Sequence, residues 1–505
     1  MTTPDWVQDA IFYQIFPDRF ARSERLAQNG LKFEAWDSPP TPHGFKGGDL
    51  YGIAERLDYL QELGITALYL NPIFASASNH RYHTFDYYQV DPLLGGNDAL
   101  RHLLDEAHQR GMRIILDGVF NHASRGFWQF HHVLETGDAS PYKEWFYFDP
   151  DRLHGKRHWG AYPTPEEQHA IRQEGSLRAI GYQGWWNLPA LPKFRTETPA
   201  VREFLFEVAE YWIKFGIDGW RLDVPGEIND DSFWQEFRRR VRAINPEAYI
   251  VGEIWHEAQR WLQGDQFDAT MNYLVTAAAL SYFGGRRLDM GLVNQCGGLQ
   301  HRVHPMDGTT FANEIDRVFH LYRPEFTYSQ LNLLDSHDMP RFLSCVCGNK
   351  DSLKLAQLFI HTYPGAPCIY YGDEIGVDGR QDPECRKSFP WDENKWDTDL
   401  LAYTKMCIKL RKDHIALRRG SFQRLNAEGQ VVVFGRSFER EQLIVAFNAG
   451  DEAAQVEVYA EQGRSVQAEA GTYISIFGKA KVTSANGKIQ LKLAARSSVV
   501  IKRQI

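Results

Sequence analysis

Short apolar runs alternate with stretches of helical period along most of the chain. Residues 11–16, 66–70 and 113–116 read as strands, the last ending at Asp117. Between the first two, Asp49 supplies a helix N-cap. Ile53, Leu57, Leu60 and Leu63 then repeat at helical spacing, and Gly64 marks the stop. A second helix opens at Asn97, carries Leu100, Leu103, Leu104 and Ala107 on one face, and ends before Gly111. This alternation predicts a parallel sheet with right-handed crossovers. From residue 120 to 195 the period is lost, while His, Trp, Tyr, Gly and Pro abound. A structureless loop of that length is disfavoured, so the segment is expected to be a small inserted subdomain. Alternation resumes with a helix over 199–215 and a strand ending at Asp223. A helix through Phe233, Phe237 and Val241 and a strand ending at Glu253 follow. Further strands are expected at 267–272, 330–335 and 367–371, with helices at 353–363 and 400–418. About eight strands, each followed by a helix, fit a closed (β/α)8 TIM barrel. After Gly420 the period becomes two, with strands at 431–434, 443–448, 455–458 and 489–492. The chain thus reads as an α/β barrel over 1–119 and 196–420, with an inserted domain B (120–195) after the third strand. A C-terminal antiparallel β-sandwich domain (421–505) completes it.

Composition narrows the function classes. A net charge of -9 with no run of one sign argues against nucleic acid or an anionic membrane as partner. No apolar stretch is long enough to span a bilayer. Residues 1–15 carry Asp5 and Asp9 and lack the basic start of a secretory signal, so a cytoplasmic protein is expected. The six cysteines (Cys296, Cys345, Cys347, Cys368, Cys385 and Cys407) show no zinc spacing and read as reduced, mostly buried small residues.

The chemistry gathers at strand ends. Arg221 and Asp223 stand two apart on one strand, so their side chains share a face. A cation there favours the ionised carboxylate and lowers its pKa, which suits a nucleophile. The alternative is a buried structural ion pair. Thirty residues on, Glu253 ends the next strand, and Asp338 ends a later one. In a barrel of this kind the site lies on the face where strands end. One ionised and one protonated carboxyl there are the equipment for glycoside cleavage, with the third acid steadying the developing charge. His122 and His337 are candidate hydrogen-bond partners for sugar hydroxyls, with Asp117 nearby. A metal site is the main rival. No His-Glu-x-x-His pattern occurs, and Arg221 beside Asp223 works against a carboxylate-bound Mg²⁺.

Several segments then resemble the α-amylase family of retaining α-glucosidases, in its neopullulanase and cyclomaltodextrinase branch. They are the stretches 117–122, 219–224, 251–256 and 334–338, with Leu-Pro-Lys-Phe at 191–194, Pro-Cys-Ile-Tyr-Tyr-Gly-Asp-Glu at 367–374 and Asp-Pro-Glu-Cys-Arg-Lys at 382–387. The resemblance covers nearly the whole chain. It implies Asp223 as nucleophile, Glu253 as acid/base and Asp338 as transition-state stabiliser. It implies that Arg221, His122 and His337 contact the reacting glucose, that Tyr82 stacks beneath it, and that Asp382 and Arg386 bind the next glucose. Trp255 is placed as an acceptor-side platform, with packing behind Glu253 as its alternative.

The sequence departs from the branch in places. The first barrel strand begins near Ile11, so the extra N-terminal β domain of that branch is expected to be missing, which puts a cyclodextrin preference in doubt. His83 follows the stacking Tyr where Asp is usual, and Pro225-Gly226 replaces Ala-Asn. Some relatives bind calcium through the residue matching Asn121, which makes Asn121 a candidate metal ligand. The Asp/Asn-rich calcium loop is not seen in 21–30, so no cofactor is expected to be required, structural calcium being the one candidate. The implied activity is cleavage of α-1,4, and also α-1,6, bonds in maltooligosaccharides, cyclodextrins or pullulan by a monomer or homodimer. A transglycosylase with the same residues and a silent carbohydrate-binding scaffold are the competing readings; a scaffold usually loses one of the three acids, and all are present.

Overall fold

A computed structural model describes residues 3–26, 31–459, 473–485 and 488–504. Eight parallel strands form one sheet. They are β1 (Phe12–Ile15), β2 (Ala67–Leu70), β3 (Arg113–Gly118), β4 (Gly219–Leu222), β5 (Tyr249–Gly252), β6 (Ala269–Thr270), β7 (Leu331–Leu333) and β8 (Ala366–Tyr370). β1 to β6 pair in chain order, β7 pairs with β8, and β8 pairs back onto β1. A bridge from Met271, just past β6, to Leu331 of β7 closes the ring. The sheet is a TIM barrel. Every residue of β2, β4, β5 and β8 is buried, as a parallel sheet covered on both faces requires.

Local chemistry explains where the elements start and stop. The Asp49 carboxylate accepts the Gly52 N–H at 2.8 Å and caps the first crossover helix. That helix is broken at Arg56 into Leu50–Glu55 and Leu57–Leu63, and Gly64 ends it at φ 103°. The stretch expected as one helix over 400–418 is Thr398–Asp413 followed by Ile415–Arg419. The break falls at His414, whose ring is held 2.7 Å from Glu441 of the C-terminal sheet. The strand expected at 267–272 shrinks to two residues, because β6 pairs only with β5 and the single bridge.

The aperiodic segment after β3 is built on aromatic packing. Its helices Trp128–Thr136, Pro165–Glu174 and Ser176–Ile180 surround buried Phe127, Phe130, Phe146, Tyr182 and Phe194. Bridges His122–Lys193 and Phe146–Phe194 tie its two ends together over the barrel mouth. Beyond residue 420, a five-stranded and a three-stranded antiparallel sheet enclose Val433, Ala446, Val458, Leu491 and Ile501. The four strands expected there fall inside Val431–Phe438, Glu441–Asn448, Ala454–Tyr459 and Lys488–Leu493. Ser421–Glu428 escaped the pattern because it is an edge strand of mostly polar, half-exposed residues. All six cysteines are free, and only Cys347 is exposed. No helix among the described residues is long and apolar enough to cross a membrane.

Candidate active site

The strand register creates the centre of the site. Asp117 of β3 lies opposite Arg221 of β4. The Arg221 guanidinium is fully buried, and its Nη1 donates to Asp117 Oδ1 at 2.8 Å, Asp117 Oδ2 at 3.0 Å and Asp223 Oδ1 at 3.1 Å. Its Nη2 lies 2.9 Å from Glu253 Oε2, an ion-pair contact off the line of a hydrogen bond. One cation thus gathers three carboxylates from three consecutive strands. Asp223 and Glu253 leave β4 and β5 as the next residue after each strand.

The surrounding chain fixes the two acids. Val224 takes a left-handed conformation, φ 36° and ψ 49°, which is a true outlier for a β-branched residue. That turn points its N–H at Glu253 Oε2, 3.1 Å away. The other Glu253 oxygen accepts the Trp255 indole N–H at 3.1 Å. Asp223 Oδ2, by contrast, is buried without a hydrogen-bond partner. Across the mouth, Asp338 follows β7 with its side chain 37 % exposed. Its Oδ2 is 3.0 Å from His337 Nε2, and its Oδ1 is 3.1 Å from Arg386 Nη2.

Burial sets the protonation of this group. It raises the pKa of Asp223 well above the ordinary carboxylate range. Arg221 pulls it down, but Glu253, Asp117 and Asp338 push it up again. The expectation that Arg221 alone would hold Asp223 in its ionised form is therefore corrected, because one cation faces several acids in a space nearly closed to water. Burial raises Glu253 as well, against the pull of Arg221. The charge of Glu253 is itself one of the causes that raise Asp223. Burial also opposes the charge on Asp338, but His337 and Arg386 outweigh it and hold that carboxyl below its ordinary range.

The other expected residues fall around this core. Tyr82 stacks on His337, centroids 5.3 Å apart at 6°. Its hydroxyl lies 2.8 Å from Asp117 Oδ2 and 2.6 Å from His337 Nε2. Arg386 links Asp382, 3.1 Å away, to Asp338, and its Nε donates to the His337 carbonyl at 2.8 Å. His122 is buried beneath Trp185, and burial pushes its pKa down to about 3, so the ring is neutral at neutral pH. Trp255 is a correction. It stacks on Tyr273 at 3.6 Å and 7°, and Gly298 lies so close to its ring that a Cβ there would clash at 2.2 Å. With both faces covered it cannot serve as a sugar platform, and it packs behind Glu253 instead. A hollow of about 650 Å³ lies beyond it, lined in part by His256, Leu274 and Arg302 and not by the three acids.

Sequence reasoning missed the layer beneath these residues. Asn71, directly after β2, donates to the Tyr82 hydroxyl at 3.1 Å and lies 3.1 Å from His337 Nδ1. Gln14 of β1 lies 3.0 Å from the same nitrogen, and Tyr69 donates to Asp117 at 2.8 Å. Their signal was position at the end of a strand, which had been applied only to charged residues. Calcium is poorly served. It takes about six to eight oxygen ligands. Asn121 offers one buried, unpartnered Oδ1, and no group of three or more His, Cys, Asp or Glu gathers for a metal among the described residues. Residues 27–30 of the expected calcium-loop region lie outside the described residues.

Comparison with known proteins agrees in sequence and in fold. Residues 14–414 match the α-amylase catalytic domain, and residues 420–501 match the α-amylase C-terminal domain. The chain is similar to the cyclomaltodextrinase of Geobacillus thermopakistaniensis, 42 % identical over 90 % of this chain and 71 % of that protein. It is similar to neopullulanase 2 of Thermoactinomyces vulgaris, 39 % identical over 99 % of this chain and 78 % of the relative. The crystal structure of a debranching enzyme from Nostoc punctiforme superposes with a TM-score of 0.86. It is 44 % identical, with 99 % of each chain covered.

Proposed function

The chain belongs to the α-amylase family and is a glycoside hydrolase of that family, and from that premise we propose a retaining α-glucan hydrolase whose paired acids are Asp223 and Glu253. The observation that carries this reading is the Arg221 hub, which holds both acids on one guanidinium and leaves Asp223 Oδ2 unpartnered. Retaining pairs stand about 5–5.5 Å apart, and two acids reached by the two Nη atoms of one guanidinium, at 3.1 and 2.9 Å, are close neighbours of that kind. The pair holds one proton. The acid role assigns that proton to Glu253 when substrate is bound; the Val224 and Trp255 N–H groups orient its carboxyl and favour the ionised form it takes after giving the proton up. Asp223 Oδ2 attacks the anomeric carbon as Glu253 protonates the leaving glycosidic oxygen. Water then enters, Glu253 takes its proton, and the Asp223–glycosyl ester is cleaved with net retention. Asp338, Arg386 and the His337–Tyr82 stack bind sugar hydroxyls, and Asp338 steadies the positive charge that grows on the ring. His122, held neutral, contributes a hydrogen bond and no charge.

The substrates are α-1,4-linked maltooligosaccharides and cyclodextrins. The Nostoc debranching enzyme at 44 % identity supports α-1,6 bonds as well, as in pullulan. The enzyme works in the cytoplasm as a monomer or homodimer, and requires no cofactor. The test is a reducing-sugar assay with chromatography on maltoheptaose, β-cyclodextrin and pullulan, with Asp223→Asn as control. Short products from the native chain and none from the variant are expected. Products longer than the substrate would make it a transglycosylase, and no products a binding scaffold.

A further inference from the structure

The inserted subdomain carries a ladder of rings from the catalytic floor to solvent. His122, 1 % exposed, stacks on Trp185 with centroids 4.9 Å apart at 8°. Trp185 stacks on Trp186, 4.6 Å apart at 20°, and Trp186 is 74 % exposed. His122 stands five residues past Asp117 on the loop leaving β3, and its ring is supported by the Tyr82 main chain. The inner end of the ladder therefore lies among the substrate-facing residues.

The outer end is held rigidly. Trp186 and Asn187 both sit in the left-handed region, at φ 49° and 60°. A bulky aromatic residue persists there only when its surroundings impose it. The Asn187 N–H bonds the Gly184 carbonyl at 3.0 Å, and the Leu188 N–H bonds that of Trp185 at 2.9 Å. The Asn187 side chain accepts the Ser176 N–H at 2.9 Å. This turn holds an indole out in water, where folding gains nothing from its apolar face. Beside it opens a hollow of about 420 Å³, lined by Trp186, Asn187, Leu188, Gln168, Ile171 and Arg172. A fixed aromatic ring flanked by amide and guanidinium donors matches a pyranose, whose apolar face stacks while its hydroxyls hydrogen-bond. Trp185 Nε1 is also buried without a partner, a spare donor midway along the ladder.

We infer that Trp186 and this hollow form a second glucan-binding site, which holds a distant part of the chain whose scissile bond lies at Asp223 and Glu253. This rests on the glucan reading above. The hollow is joined to the catalytic site by the ladder, which favours an arm of the substrate over a second protein copy as its occupant. The site makes the enzyme prefer longer glucans.

Turnover of maltoheptaose by the native chain is measured first; its absence would overturn the glucan reading and this site with it. Binding is then titrated calorimetrically in the Asp223→Asn chain with maltoheptaose and maltotriose, with and without Trp186→Ala. Loss of the ring is expected to weaken maltoheptaose about tenfold, a change of ~1.4 kcal/mol, and maltotriose much less. Trp186→Tyr should restore most of the difference. Equal weakening of both sugars, or of neither, in a chain that does turn over maltoheptaose would overturn the second site alone. So would conversion of a dimer to a monomer by Trp186→Ala in light scattering, which would mark the ring as a contact between copies.

Discussion

Two of the arginine–carboxylate clusters buried in the molecule face different surroundings, and one of them is placed to do chemistry. Arg221 gathers Asp117, Asp223 and Glu253, while Arg341 holds Asp373 at 2.8 Å beside Asp335. Both guanidinium groups are fully buried, and burial raises acids in both clusters. They differ in what surrounds them. Asp335 Oδ2 accepts the Phe342 N–H at 2.6 Å while its Oδ1 is buried without a partner, and Arg341 lies 4.3 Å from the Tyr370 ring. That cluster is closed to solvent, and burial raises both of its carboxyls. The Arg221 cluster also leaves Asp223 Oδ2 unpartnered, beneath a mouth where Asp338 is exposed. Burial, crowded charge and an unpartnered carboxylate oxygen are thus common to both clusters; the opening at Asp338 separates them.

The sharpest way to break this comparison is to neutralise one acid in each cluster. Glu253→Gln should lower turnover of maltoheptaose by about 10²–10⁴-fold. Asp223→Asn should cost at least as much, since no covalent intermediate can form. Both variants should melt at or above the native temperature, because acids crowded together for function can be neutralised without loss of stability. A large loss of stability with little loss of rate in either would reverse the assignment of the clusters.

Arg341→Met tests the other side. It strands buried acids and should cost about 3–5 kcal/mol of stability, read as a lower midpoint in urea. The rate per folded molecule should fall far less than in either acid variant, because Arg341 reaches the site indirectly, through the 3.1 Å bond from its Nε to the Cys385 carbonyl beside Arg386. The smallest effect is a pH dependence. Asp373 has a raised folded pKa, so the native state keeps a proton that the unfolded chain has released. Its contribution to stability is present below the ordinary Asp value of about 3.9 and is lost as pH rises toward the folded value. Asp373→Asn should flatten the fall in melting temperature over that window. An unchanged slope would mean that the closed cluster holds no proton.

Much of this was legible in the sequence because strand ends were legible. Asp223 and Glu253 follow their strands directly and Asp338 follows its strand by five residues, and in a barrel that position implies the catalytic face. What failed to show were contacts between residues far apart in the chain. Asp335 and Asp338 share one short motif yet belong to different clusters, because Asp335 turns inward to Phe342 and Asp373. Trp255 looked free to stack on sugar, since Tyr273 and Gly298, which cover it, are distant in sequence. Trp185 and Trp186 lie in an aperiodic segment where no period marks one ring as half-buried and the next as exposed. The Arg221 hub depended on register: Asp117 meets Arg221 only because β3 and β4 pair side by side.

The central claim is that Asp223 and Glu253 work from opposite sides of one anomeric carbon through a covalent intermediate. Proton NMR of the first product released from maltoheptaose, recorded before mutarotation, tests it most directly. The account predicts the α-anomer at the new reducing end; an initial β-anomer would contradict it.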